Sequence, residues 1–196
     1  MKTIEVKIKG RSPLIINRFK EESELQASVK KKTKKDYGSP REQAESCAYF
    51  DKKTKKIWIP STWVSGCLKT VASEYKLPGS RKSAKSVIGG AVFPTEEKMY
   101  FSKLLKLKDI EIDSSPVVIQ SARIMRHRAR LEEWEVTTVI EIDDSILPSE
   151  DVHSMLNDAG SRAGMGDFRP QKFGPFGRFK ITQWKEITQK MNKKRK

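Results

Sequence analysis

Groups able to act as nucleophiles, proton carriers or metal ligands are few in this chain, whereas groups that grip phosphate are abundant. General acid–base chemistry asks for a histidine beside a second acid, base or nucleophile. His127 stands instead among Arg123, Arg126, Arg128 and Arg130, and His153 follows the apolar Val152 in the first turn of a helix, so both read as contact or surface histidines. A zinc site drawn from Cys47, Cys67, His127 and His153 would lack any short chelating pair, which argues against it. There is no Walker-type loop, no G-x-S-x-G and no H-E-x-x-H. The reading therefore assigns no catalytic residue, no metal ligand and no cofactor.

The phosphate-gripping groups concentrate in two places. Residues 164–179 interleave four glycines, two prolines, four phenylalanines and three basic residues, Arg169, Lys172 and Arg178. Such a loop can bring backbone amides, aromatic faces and positive charge up to an extended polyanion. Its alternative is a turn whose glycines only reverse the chain and whose phenylalanines enter the core. The second place is residues 123–130, read as the basic tip of a hairpin. The candidate phosphate contacts are Lys69, Arg123, Arg126, Arg128, Arg130, Arg169, Lys172 and Arg178. The candidate stacking faces are Phe168, Phe173 and Phe176, with Trp58 as a further one.

Composition points the same way. The chain has 196 residues, a formal net charge of +15 and a charged fraction of 33%. That length suits one domain, and that charge suits a polyanionic partner, because lysines and arginines release condensed counterions when they meet phosphates. No run of eighteen apolar residues, signal peptide or lipidation motif is present, so the expectation is a soluble, cytoplasmic protein with no membrane partner.

The elements that must position these groups follow from periodicity. Residues 3–8 alternate as a half-buried strand and lead to Leu14, Ile15 and Ile16. Residues 19–45 are rich in Lys and Glu and read as a basic arm unable to order itself. A hairpin is expected around residues 51–56. A helix then starts at Pro60 and Ser61, with Val64, Cys67, Leu68, Val71, Ala72 and Tyr75 on its apolar face and Pro78-Gly79 as its stop. Residues 80–114 read as a second insertion. Long strands are expected at 117–125 and 134–142, and a helix from Ser149 as N-cap, with Val152, Met155, Leu156 and Ala159 buried. The last strand is 179–184, and 188–196 read as a basic disordered tail.

Without the insertions the order is strand, helix, strand, strand, helix, strand. The expectation is thus an α+β fold, a ferredoxin-like (RRM-like) βαββαβ core with two insertions, at about 19–59 and 80–114 of a single domain spanning 1–187. One sheet face would be free for single-stranded nucleic acid.

Residues 59–69, Ile-Pro-Ser-Thr-Trp-Val-Ser-Gly-Cys-Leu-Lys, are similar to the I-P-G-S-S-x-K-G opening of the first helix in the RAMP superfamily. That superfamily includes backbone-forming subunits of CRISPR effector complexes and related proteins of phages and mobile elements. Residues 164–177 resemble its glycine-rich loop, while Thr62 and Trp63 stand where small residues are usual. The resemblance implies a ferredoxin-like core with a thumb-like insertion that binds along a single strand and assembles side by side. Some relatives are endoribonucleases that use a metal-binding aspartate in the first insertion, where Asp36 is the one aspartate of residues 19–45. The functional reading is a sequence-tolerant binder of single-stranded DNA or RNA. A RAMP-type endoribonuclease, and a structural subunit of a CRISPR-like effector or phage assembly, remain the alternatives.

Overall fold

In the computed structural model, residues 1–18, 38–119 and 122–187 are described, and the side chains of Ile119 and Ala122 are set aside. Most of the expected basic arm, with Asp36, and the expected tail therefore lie outside the described residues. The chain forms a mixed α+β fold with antiparallel sheets.

The largest sheet has four strands: β1 (Lys2–Gly10), β5 (Val92–Pro94), β9 (Glu135–Ile142) and β10 (Phe179–Glu186), in the order β10-β1-β9-β5. The alternation in β1 and β9 acts as expected. Ile4, Val6 and Ile8, with Val136, Thr138, Ile140 and Ile142, turn to one face and are buried, while their neighbours face the other way. Helices α2 (Thr62–Val71) and α4 (Ser149–Arg162) pack against each other. Their buried stripes, Val64, Cys67, Leu68 and Val71 on α2 and Val152, Met155, Leu156 and Ala159 on α4, join the sheet's inner face in one hydrophobic cluster. Each large aliphatic side chain so buried contributes about 1.5–3 kcal/mol.

The second strand of this sheet is not the expected one. Residues 117–125 do not form one strand; they belong to a separate hairpin of β7 (Glu111–Ile119) and β8 (Ala122–Leu131). That hairpin joins β2 (Leu14–Ile16) in a three-stranded sheet of order β2-β8-β7. The place beside β9 is taken by β5, whose three residues lie inside the expected second insertion. The physical reason is length, because three residues between Gly89-Gly90 and Pro94 carry no readable period.

The third sheet, β3-β4-β6, consists of β3 (Phe50–Asp51), β4 (Lys56–Pro60) and β6 (Lys98–Tyr100). Its β3-β4 turn is the expected basic hairpin, and Asp51 organises it. The Lys53 and Thr54 amides, with the Tyr100 hydroxyl and Lys98, hold this carboxyl down at about 2.

Two local expectations are corrected. Residues 40–45, expected to belong to an unordered arm, together with Ser46 and Cys47, the latter expected to open a hairpin strand, form helix α1 (Pro40–Cys47). Ser39 and Glu42 make a capping box with Pro40 at the first position, and the helix is supported by packing on β7 and β8. Ser149 is the first residue of α4 and not its cap; the Asp144 carboxylate accepts from its backbone N–H at 2.9 Å.

The glycine-rich stretch is threaded under the β1-β2 connection. Gly177 N–H donates to the Pro13 carbonyl at 2.7 Å, and Arg11 N–H donates to the Arg178 carbonyl at 2.7 Å. At Gly177 φ is +69°, and a Cβ would overlap the Met165 carbonyl oxygen. Gly177→Ala should therefore lose at least about 2 kcal/mol, combining left-handed strain with an enforced backbone clash. Urea denaturation checks this; wild-type stability in the variant would contradict the packing described.

Candidate nucleic-acid interface

The two stretches that stood out by composition come together in space. One face of α2 and the glycine-rich loop face each other across a cavity of about 660 Å3. Thr62, Trp63, Gly66, Lys69 and Thr70 line it from α2; Gly164–Asp167, Arg169 and Gln171 line it from the loop. Asn17, Tyr49 and Lys85 complete the wall.

Several contacts hold these walls in register. Cys67 donates its thiol proton to the Gly164 carbonyl at 3.1 Å, and burial pushes that thiol up to about 12, so it remains a neutral donor. The loop N–H of Asp167 donates to the Ile15 carbonyl at 2.8 Å, which ties the loop to β2. Arg169 is fixed in place by the Gly166 carbonyl at 2.8 Å and by the Gln171 side chain. Tyr49 and Trp63 meet edge to face with ring centroids 6.1 Å apart.

The electrostatics of the cavity are one-sided. Lys69, Lys85 and Arg169 line it, and none of the three makes a salt bridge among the described residues. The single carboxylate in the lining, Asp167, is ion-paired from behind. Arg128 reaches it at 2.8 Å and simultaneously binds Asp113 at 2.6 Å. Burial works to raise the Asp167 carboxyl, but the hydrogen bonds from Arg128 and Asn17 outweigh it and hold the group below the ordinary carboxylate value.

The structure sorts the residues expected to contact nucleic acid into three groups. Lys69 and Arg169 line the cavity. Lys172, Phe173 and Arg178 lie on the exposed side of the same loop. Phe173 is 99% exposed and holds φ of +58°, an unusual state for a large apolar residue, on a turn where its N–H donates to the Pro170 carbonyl. Phe168 and Phe176 are engaged with each other, ring centroids 6.0 Å apart, and Phe176 lies beneath the Arg130 guanidinium at 5.4 Å.

The third group departs from expectation. Arg123, Arg126, Arg128 and Arg130 are not a hairpin tip; they lie along β8. Arg126, Arg128 and Arg130 share one face by the strand's two-residue period. Arg128 is 5% exposed and occupied by two carboxylates, so it clamps the hairpin to the loop and presents nothing to a phosphate. Arg130 pairs with Glu132 at 2.5 Å. Arg123 and Arg126 are exposed. Trp58 packs on Tyr49 at 4.9 Å, with Lys98 over its ring.

The free face of the four-stranded sheet is poorly suited to stacking. Lys7 pairs with Glu135, Gln183 donates to Glu5, and the register sets Thr137 beside Lys7. Neither histidine is at the cavity: His127 Nδ1 shares a hydrogen bond with Ser114, and His153 stacks on Trp184. Lys85, Tyr49 and Asn17 were not singled out as contacts from sequence. Only the basic patch around Lys85 gave any signal.

Compared with protein-family models and with curated protein sequences, the chain matches none.

Two outcomes follow from the Arg128 clamp. Arg128→Met leaves Asp113 buried without its partner and should cost about 3–5 kcal/mol, whereas Arg126→Met should stay within about 0.5 kcal/mol; urea denaturation of both decides. The Asp167 carboxyl is depressed in the folded state, so its contribution is complete above the unfolded value near 3.9 and is lost as pH falls through the lower folded value. Stability measured across the acid range should fall below about pH 4, and less steeply in Asp167→Asn.

Proposed function

We propose that this protein binds single-stranded nucleic acid without strong sequence preference, through the groove between α2 and the glycine-rich loop. The observation that carries the reading is that two sequence-distant stretches meet across one cavity, bringing Lys69, Trp63 and Arg169, with Lys85 and Tyr49 added from the rest of the wall; none of the three cations has a salt bridge among the described residues. Cations without a carboxylate partner favour a polyanion, and the rings give flat surfaces that accept any base. Exposed Lys172 and Phe173 extend the same chemistry along the loop, and Arg123 and Arg126 extend the positive charge along the hairpin.

We also read the four-stranded sheet with α2 and α4 as a ferredoxin-like core. The order β10-β1-β9-β5, with α2 between β1 and β5 in the chain and α4 between β9 and β10, supports that reading. The resemblance of residues 59–69 and 164–177 to the RAMP superfamily supports the same interface. Both resembling stretches line the one cavity, so residues similar to that superfamily's first-helix opening and glycine-rich loop would act together on one strand. Assembly side by side along the strand belongs to this proposal as well.

The test is a titration of oligo-U, oligo-dT and duplex DNA at several salt concentrations. Single strands should bind more tightly than duplex. Four phosphate contacts, at Lys69, Lys85, Arg169 and Lys172, give a slope of log affinity against log salt of about −3. Duplex binding equal to single-strand binding, or a slope near zero, would overturn the proposal.

A further inference from the structure

A second cavity, of about 410 Å3, opens beyond Lys69 and Lys85, and those two lysines line both cavities. Its character differs from that of the first. Phe93, 41% exposed, supplies apolar surface beside the buried Leu68, Ile88 and Val92, while the Ser65 hydroxyl can donate or accept and the Ser86 hydroxyl, which donates to the Ser83 carbonyl at 2.8 Å, can accept. Gly89 and Gly90 from α3 (Ile88–Ala91) complete it.

Three of the glycines beside these cavities have no reason within the fold to be glycine, unlike Gly164 and Gly166, whose φ is positive and whose Cβ positions are blocked. Gly66 lines the first cavity and Gly89 and Gly90 the second. None has a left-handed backbone, all three are exposed, and a Cβ on any of them would meet nothing within 4 Å. Gly66 moreover lies inside α2, where glycine weakens a helix relative to alanine. By contrast Gly160, Gly174 and Gly177 are each pressed against a backbone carbonyl. What a missing side chain gives at an open, lysine-rimmed groove is close approach of another chain to the backbone.

We propose that the two cavities form one continuous track for a single strand, and that the second is a nucleobase subsite. This rests on the single-strand reading of the first cavity. Phosphates lie at the divide on Lys69 and Lys85, and the next base settles against Phe93 and the bare Gly89-Gly90 backbone. Ser65 donates to or accepts from the edge the base presents and Ser86 accepts, in keeping with sequence tolerance.

The experiment measures affinity for oligo-U of increasing length, by fluorescence anisotropy, for the wild type, Gly89→Leu and Gly90→Leu, with folding stability measured alongside. In the wild type affinity should rise with length to a plateau. Both variants should keep wild-type stability, since the added side chain points into open space, yet plateau at a shorter length and bind the longest oligonucleotide at least about fivefold more weakly, the scale of one lost base contact. A long oligo-U carrying abasic positions tests the same subsite on the unaltered protein and should lose a similar factor. Leucine variants that bind the long oligonucleotide as the wild type does, or abasic strands that bind equally well, would overturn the track while leaving the first cavity intact. A wild type that binds no oligo-U at all would overturn the underlying single-strand reading together with the track.

Discussion

The guanidinium of Arg128 is the point at which the β7-β8 hairpin, the glycine-rich loop and β2 are made to agree. It lies in β8, binds Asp113 across the hairpin and Asp167 in the loop, and Asp167 is further held by Asn17 just after β2. A buried ion pair of this kind gains little net stability over an apolar substitute, because desolvation consumes most of the attraction. What it supplies is geometry. Losing either carboxylate breaks the link that this cation makes to the hairpin or to the loop, so the pair of contacts holds loop and hairpin in one relative position.

That position determines the chemistry of the groove. With Asp167 ion-paired from behind, the lining is governed by Lys69, Lys85 and Arg169, which outnumber it. If the loop moved away from β2 and β8, Asp167 would become a free negative charge in the site. The strongly basic composition of the chain therefore says less about the site than the arrangement of a few charges does. Arg128 and Arg130 are consumed by structure, while Lys69 and Lys85 are left without salt bridges among the described residues.

How much of this could be read from the sequence depended on whether a residue's role was local. The alternation of Ile4, Val6 and Ile8 and the stripe from Val64 to Val71 reflect burial on one face of one element, and they were legible. The three residues of β5 had no period to show. The expected strand 117–125 takes in the end of β7 and the start of β8, because the apolar residues at 117–119 and 124–125 carry no mark that separates them. Helix α1 carried its signal in Ser39, Pro40 and Glu42, but its polar composition hid it. Arg128 was the hardest case: its partners lie 15 and 39 residues away, and no local pattern distinguishes a paired arginine from a free one. The free sheet face was expected to stack bases; its polar alternation was legible, yet the pairing of Lys7 with Glu135 and Thr137 across β1 and β9 becomes evident only once the strand register is known.

The central claim is that a single strand lies between α2 and the glycine-rich loop and not on the open face of the sheet. The most direct measurement is the change in backbone amide NMR shifts as oligo-U is added to isotope-labelled protein. The account predicts shifts concentrated at Gly66, Lys69, Thr70, Lys85 and residues 164–171, with Lys7, Thr137 and Gln183 unmoved. Shifts centred on those three sheet residues, with the α2 and loop amides unchanged, would contradict it.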